Sequence, residues 1–170
     1  MVQAAIFVIF PLCLAVAAFS DLFTMTIPNR ISAILLAAFI LIAPFAGLQL
    51  PEIGLHLLAG AVVFGFCFAL FAINVMGGGD AKLLTASAVW FGFGEPLFVF
   101  LIYVSLLGGA LTLAILMLRK QENALLATGL PLPQLLFTAK KIPYGIAIGL
   151  GGFLAYPSSP LMLAALGHAY

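Results

Sequence analysis

Charge is the scarcest thing in this sequence. Six residues are Lys or Arg and five are Asp or Glu, 6% of the 170 together, where an ordinary soluble domain carries roughly 25%. Hydrophobic residues make up 65%. A soluble domain of this size has too little interior to hide so much apolar surface, so the surplus faces lipid. That excludes a water-soluble fold. A net charge of +1 leaves no basic surface for nucleic acid and no strong field for an acidic partner. Cysteine is also rare: Cys13 and Cys67 lie in separate apolar runs with no CxxC pair, which argues against a redox couple or a thiolate metal site. His56 and His168 are isolated, so no soft ligand set gathers, no metal is expected, and no cofactor is called for. Basic residues are missing altogether before Arg30. The first apolar run, although followed by Ala15-Val16-Ala17, therefore lacks the charged start of a signal peptide and reads as a retained transmembrane helix.

What remains is a series of long apolar runs punctuated by charge, glycine and proline. A helix needs about 20 apolar residues to cross the hydrocarbon core, and the breaks mark about six spans, near 2–20, 31–48, 53–76, 81–94, 96–118 and 142–166. The expected fold is an all-α polytopic transmembrane helical bundle forming a single membrane-embedded domain over 1–170. Tyr156-Pro157-Ser158-Ser159-Pro160 is expected to interrupt the last span. With the N-terminus outside, Arg30, Lys82, Arg119, Lys120, Lys140 and Lys141 all fall on the cytoplasmic side, and the outer turns hold only Glu52 and Glu95. The positive-inside rule thus places both termini outside.

Only two aspartates occur, Asp21 and Asp80, at the cytoplasmic ends of spans one and four. A carboxylate in a transmembrane bundle is costly and marks a functional site by default. Asp80, after three glycines and before a helix, also suits a simple N-cap. Asp21 sits where the helix dipole disfavours an acid, so a partner must justify it, and Arg30 or Lys82 would be the plain one. Two aspartates brought together can divide peptide hydrolysis. One, ionised, takes a proton from water, while the other, protonated, polarises the scissile carbonyl, because like charges at close range do not both ionise. The span 81–94 is about 21 Å long against a core of roughly 30 Å, which sinks Asp80 below the inner interface unless a thinned bilayer or a tilted bundle absorbs the deficit.

These residues resemble the prepilin peptidases, or type IV leader peptidases, membrane aspartic proteases of the GxGD class. Gly77-Gly78-Gly79-Asp80-Ala81-Lys82-Leu83 is similar to that family's GxGDxKL stretch, and Asp21 followed by Ile27-Pro28-Asn29 is similar to its other signature. Lys141-Ile142-Pro143-Tyr144-Gly145 resembles the family's approach to its last helix. The resemblance implies that Asp21 and Asp80 are catalytic, that the partner is a prepilin cut at the cytoplasmic face, and that the protein resides in the bacterial inner membrane. Larger members carry a CxxC-bearing domain between the first two helices and methylate the new N-terminus. Here that connection is about ten residues without cysteine, like the short form associated with Flp/Tad-type pili, so methylation is not expected.

Supporting roles are assigned to Gly77, Gly78 and Gly79, whose bare backbone admits a substrate strand or another helix or simply makes a tight turn. Lys82 would offset acidic charge or touch substrate, unless it merely snorkels. Pro28 and Asn29 are expected to start the second helix, with Asn29 as its cap. Gly145 and Gly149 form a small-xxx-small pair for close packing. The apolar stretch between the basic pairs at 119–120 and 140–141 is expected to lie at the interface or to dock a prepilin helix. The competing function is a small ion- or proton-coupled transporter using the same two acids, and a third is a catalytically silent assembly subunit. Against transport, both acids lie toward one face and no matching repeats occur.

Overall fold

A computed structural model describes residues 2–120 and 142–167. The apolar stretch expected to lie at the interface or dock a prepilin falls outside these residues, as do Lys140, Lys141 and His168. Among the described residues every regular element is helical. They are α1 (Val2–Thr24), α2 (Asn29–Ile42), α3 (Leu50–Ala72), α4 (Gly78–Phe91), α5 (Glu95–Lys120), α6 (Tyr144–Ala155) and α7 (Pro160–Ala165), with single 3-10 turns at Ala43–Ala46 and Tyr156–Ser158. The all-α polytopic bundle expected from the apolar runs is the fold observed. The last span breaks where its prolines demand: α6 stops at Ala155, and α7 restarts after Ser159, whose hydroxyl accepts the Met162 N–H.

Among the described residues four stretches are long and apolar enough to cross a membrane: α1, α2 together with its 3-10 turn, α3 and α5. The other two main helices, α4 with 14 residues and α6 with 12, are shorter and more completely enclosed. α4 is buried on nearly every side, from Ala81 through Leu83 and Leu84 to Ala86–Phe91, which suits a helix packed all round by protein. α3 and α2 pack on it, while α1 and α5 both pack on α6. The long helices offer lipid one face and the short ones the other: Leu41, Phe66, Leu106 and Met117 are all more than 60% exposed.

The seams are narrow and their spacing is helical. On α1 the buried stripe is Ile6, Phe10, Leu14, Ala17 and Asp21, so an acid occupies the last place of an apolar row. Gly149 and Gly152 let α6 close against Leu14 and Ala18 of α1, the close packing expected of small residues in membrane helices. Aromatic contacts fix the middle. Phe10 stacks on Tyr156 with ring centroids 4.4 Å apart and lies 5.2 Å from Trp90. Each polar tip finds a backbone carbonyl, Tyr156 Oη–H donating to Ile6 and Trp90 Nε1–H to Leu35, as buried Tyr and Trp require.

Candidate active site

The turn between α1 and α2 is tied down by hydroxyls. Thr24 Oγ1–H donates to the Ser20 carbonyl at 2.7 Å, Ser20 Oγ–H to the Thr26 carbonyl at 2.8 Å, and Thr24 and Thr26 share a hydroxyl bond at 2.7 Å. Met25 takes a left-handed φ of 52° there, and its N–H returns to the Asp21 carbonyl. α1 therefore runs one turn past Asp21 instead of ending on it.

Asp21 is 5% exposed, and its partner is neither cation considered from the sequence. Its Oδ2 accepts the Gly145 N–H at 2.7 Å. Gly145 is the second residue of α6, whose N-cap is Pro143, so this N–H is one of the donors a helix start leaves without an internal acceptor. The acid that local physics disfavours at the end of α1 is thus accounted for by the positive end of another helix. A side chain at 145 could not coexist with it: a Cβ would stand 2.9 Å from both Asp21 Cβ and Oδ2.

Asp80 is not the N-cap of its helix. α4 begins at Gly78, three residues before the expected start, with Gly77 as N-cap and Asp80 in the third helical position. The carboxylate turns back over the first turn, so that a Cβ on Gly77 would meet its Oδ2 at 2.6 Å. Gly79 serves the approach of another element: a Cβ there would lie 3.2 Å from Ile27 Cβ in the α1–α2 turn. Glycine at 77 leaves room for the acid, and glycine at 79 lets the turn carrying the other signature close on it.

The remaining sequence-derived residues divide. Asn29 is the first residue of α2, not its cap; Pro28 takes the cap position, its carbonyl accepting from Ile31. The Asn29 side chain instead accepts from Lys82 Nζ at 2.9 Å, joining α2 to α4 beside the two acids. Lys82 is thereby drawn to an amide oxygen rather than to Asp21. A cavity of about 230 Å³ is lined by Asp21, Asn29, Gly77, Gly78, Gly79 and Asp80, together with Met25, Thr26, Ile27 and Ile142. Pro28 and Lys82 stand outside it. The starts of two helices, α4 and α6, converge here, each bringing backbone donors and partial positive charge to the neighbourhood of a carboxylate.

Sequence reasoning read Gly145 only as a packing residue and missed it as the donor to Asp21. The available signal was Pro143, which marks a helix start two residues earlier and hence N–H groups in need of an acceptor. Met25, Thr26 and Ile142 gave no such signal.

Chemically, the cavity offers two acids, backbone N–H donors and an unobstructed glycine edge. Comparison with known proteins gives one family. No curated protein and no solved structure matches the chain. The type IV leader peptidase family matches residues 8–113, a stretch that begins within α1, holds Asp21, Pro28, Asn29, the three glycines, Asp80 and Lys82, and ends within α5. With well over half of its length matched, and with both motif regions inside the match, this chain belongs to the type IV leader peptidase family.

Proposed function

We propose that the protein is an aspartic endopeptidase that removes the leader of a Flp/Tad-type prepilin at the cytoplasmic face of the bacterial inner membrane, with Asp21 and Asp80 as its catalytic pair. The observation that carries this reading is that the chain's two aspartates, one from α1 and one from α4, line a single cavity at one end of the bundle. In such a pair one carboxylate holds a proton and the other does not. The ionised one draws a proton from water as it attacks, and the protonated one donates to the carbonyl oxygen. They then exchange roles as the amine departs. Gly145 N–H fixes one oxygen of Asp21, so the acid from α1 is held in one orientation by a backbone donor. The glycine edge at Gly77, Gly78 and Gly79 gives an extended substrate segment access to the acids without side-chain obstruction. Lys82 and Asn29 act at a distance from the reacting bond by joining α2 to α4, with Pro28 setting the start of α2.

The short form is supported by the α1–α2 connection, which is only the four residues 25–28. That is too little chain to fold a cofactor pocket. Incubation with a Flp-type prepilin, labelled S-adenosylmethionine and EDTA is expected to give shortened product with no label on the mature N-terminus. Transfer of label would end the single-activity reading, and cleavage lost with EDTA and restored by metal would end the metal-free one.

The cytoplasmic placement rests on the one-sided distribution of Lys and Arg. Single cysteines placed within 119–141 of a chain lacking Cys13 and Cys67 should react with a membrane-impermeant maleimide only after the membrane is opened. A cysteine after residue 167 should react in intact spheroplasts. Labelling of 119–141 in intact spheroplasts would put the aspartates on the other face.

A further inference from the structure

A second, larger cavity of about 460 Å³ lies at the opposite end of the bundle, where the α2–α3 and α4–α5 turns meet the chain beyond α7. No part of it touches the two aspartates. Its volume falls in the range of small-molecule sites, roughly 300–1,000 Å³, and like them it has apolar walls with a few polar groups. Leu48, Leu55, Phe91 and Phe93 supply the walls, and among the described residues Glu52 and His56 are the lining side chains able to bear charge.

Both polar groups present acceptors. They are four residues apart on α3 and so share a face. His56 is 5% exposed, and its Nδ1 stands 2.7 Å from the Val89 carbonyl. A carbonyl oxygen can only accept, so Nδ1 carries the hydrogen, and a neutral ring in this orientation has its lone pair on Nε2. Gly92 keeps that nitrogen uncovered. Its φ is +69°, a left-handed conformation that favours glycine, and a Cβ there would sit 2.8 Å from Nε2. Glu52 uses Oε2 to accept the Gln49 N–H at 2.7 Å, but an ionised carboxylate has acceptor capacity for several donors. Among the described residues no lining side chain is a Lys, Arg, Ser or Thr, which leaves the two acceptors to be matched by donors on a ligand.

A group with several N–H donors and a positive charge, attached to an apolar chain, complements this arrangement, and a primary ammonium is that group. At the end of a transmembrane bundle its source is the surrounding lipid. We propose that this cavity binds an ethanolamine-headed phospholipid, with the ammonium donating to Glu52 and His56 and the upper chain against Leu48, Leu55 and Phe93. The site stands apart from the peptidase reading and does not depend on it.

The chain's single tryptophan makes the test direct. Trp90 lies 6.3 Å from Phe39, which stacks on His56 at 5.1 Å, so its fluorescence reports on a quencher in the cavity. The full-length protein in liposomes is titrated with chain-brominated phosphatidylethanolamine or with phosphatidylcholine brominated at the same carbons. Both heads carry one positive charge, but only ethanolamine has N–H to donate. The expected result is an apparent Kd about tenfold lower for the ethanolamine lipid, the ratio that hydrogen bonds to a charged group supply. That gap should close in Glu52→Gln, where glutamine keeps an oxygen for the Gln49 N–H and unchanged thermal unfolding verifies the fold. Excess soluble ethanolamine should leave the quenching in place. Equal quenching by the two lipids, or a gap that persists in Glu52→Gln, overturns the proposal. Displacement by ethanolamine alone reassigns the cavity to a soluble amine and overturns the lipid.

Discussion

Asp21→Asn and Asp80→Asn are each expected to reduce prepilin cleavage by about a hundred- to ten-thousandfold, the contribution typical of a positioned general acid or base. Asparagine keeps the shape and an acceptor oxygen, so the Gly145 N–H bond to residue 21 survives and the bundle should still assemble. The two acids act as one device. Replacing both should therefore cost about as much as replacing either, because a unit that has lost one member has little left to lose. The measurement is initial rate of leader removal in detergent, beside Trp90 fluorescence and thermal unfolding as tests of fold. Either single variant cleaving at the wild-type rate would remove the paired mechanism. A double variant far slower than both singles would mean that each acid works without the other.

Gly145→Ala should come next in size, and its effect should fall on activity and stability together. The new Cβ would stand 2.9 Å from Asp21 Cβ and Oδ2 and 3.0 Å from Ile27 Cδ1. Two of these contacts are with Asp21, a buried acid whose Oδ2 is already held by the Gly145 N–H, and Asp21 Cβ cannot swing away as a chain end can. The start of α6 must therefore shift. Overpacking of this kind costs about 1–3 kcal/mol, and moving a catalytic group by a fraction of an ångström to an ångström can cost on the order of a hundredfold in rate. Gly109→Ala on α5 is the control, because a Cβ there has nothing within 4 Å and alanine suits a helix better than glycine. If Gly145→Ala cleaves and unfolds like Gly109→Ala, the Asp21–Gly145 contact has no part in shaping the site.

Much of the bundle was legible because membrane helices announce themselves residue by residue. Apolar length, the break at Pro157 and Pro160, and the glycine run before Asp80 need no knowledge of neighbours. The limits of that reading show at particular positions. α4 has the expected length but starts at Gly78 instead of 81. Glycine is a weak helix former, and the sequence gives no sign that packing against Phe71 and Ile27 carries the helix back through two of them. Asn29 looked like a cap by residue type, yet Pro28 already holds the extended backbone a cap needs, which frees the amide for Lys82.

Composition pointed to lipid surroundings, with 65% hydrophobic residues, the length of the apolar runs made the fold an all-α bundle, and the only two aspartates could be named from the sequence. What only the tertiary structure decided is how those acids are accommodated. Asp21 is the last member of a buried apolar row on α1, and its partner, Gly145, lies 124 residues away. No local pattern encodes that bond, because it depends on two short, enclosed helices being set so that their positive ends converge on one cavity. Side-chain spacing reports which face of a helix is apolar. Which helix end meets that face is fixed by packing among all of them.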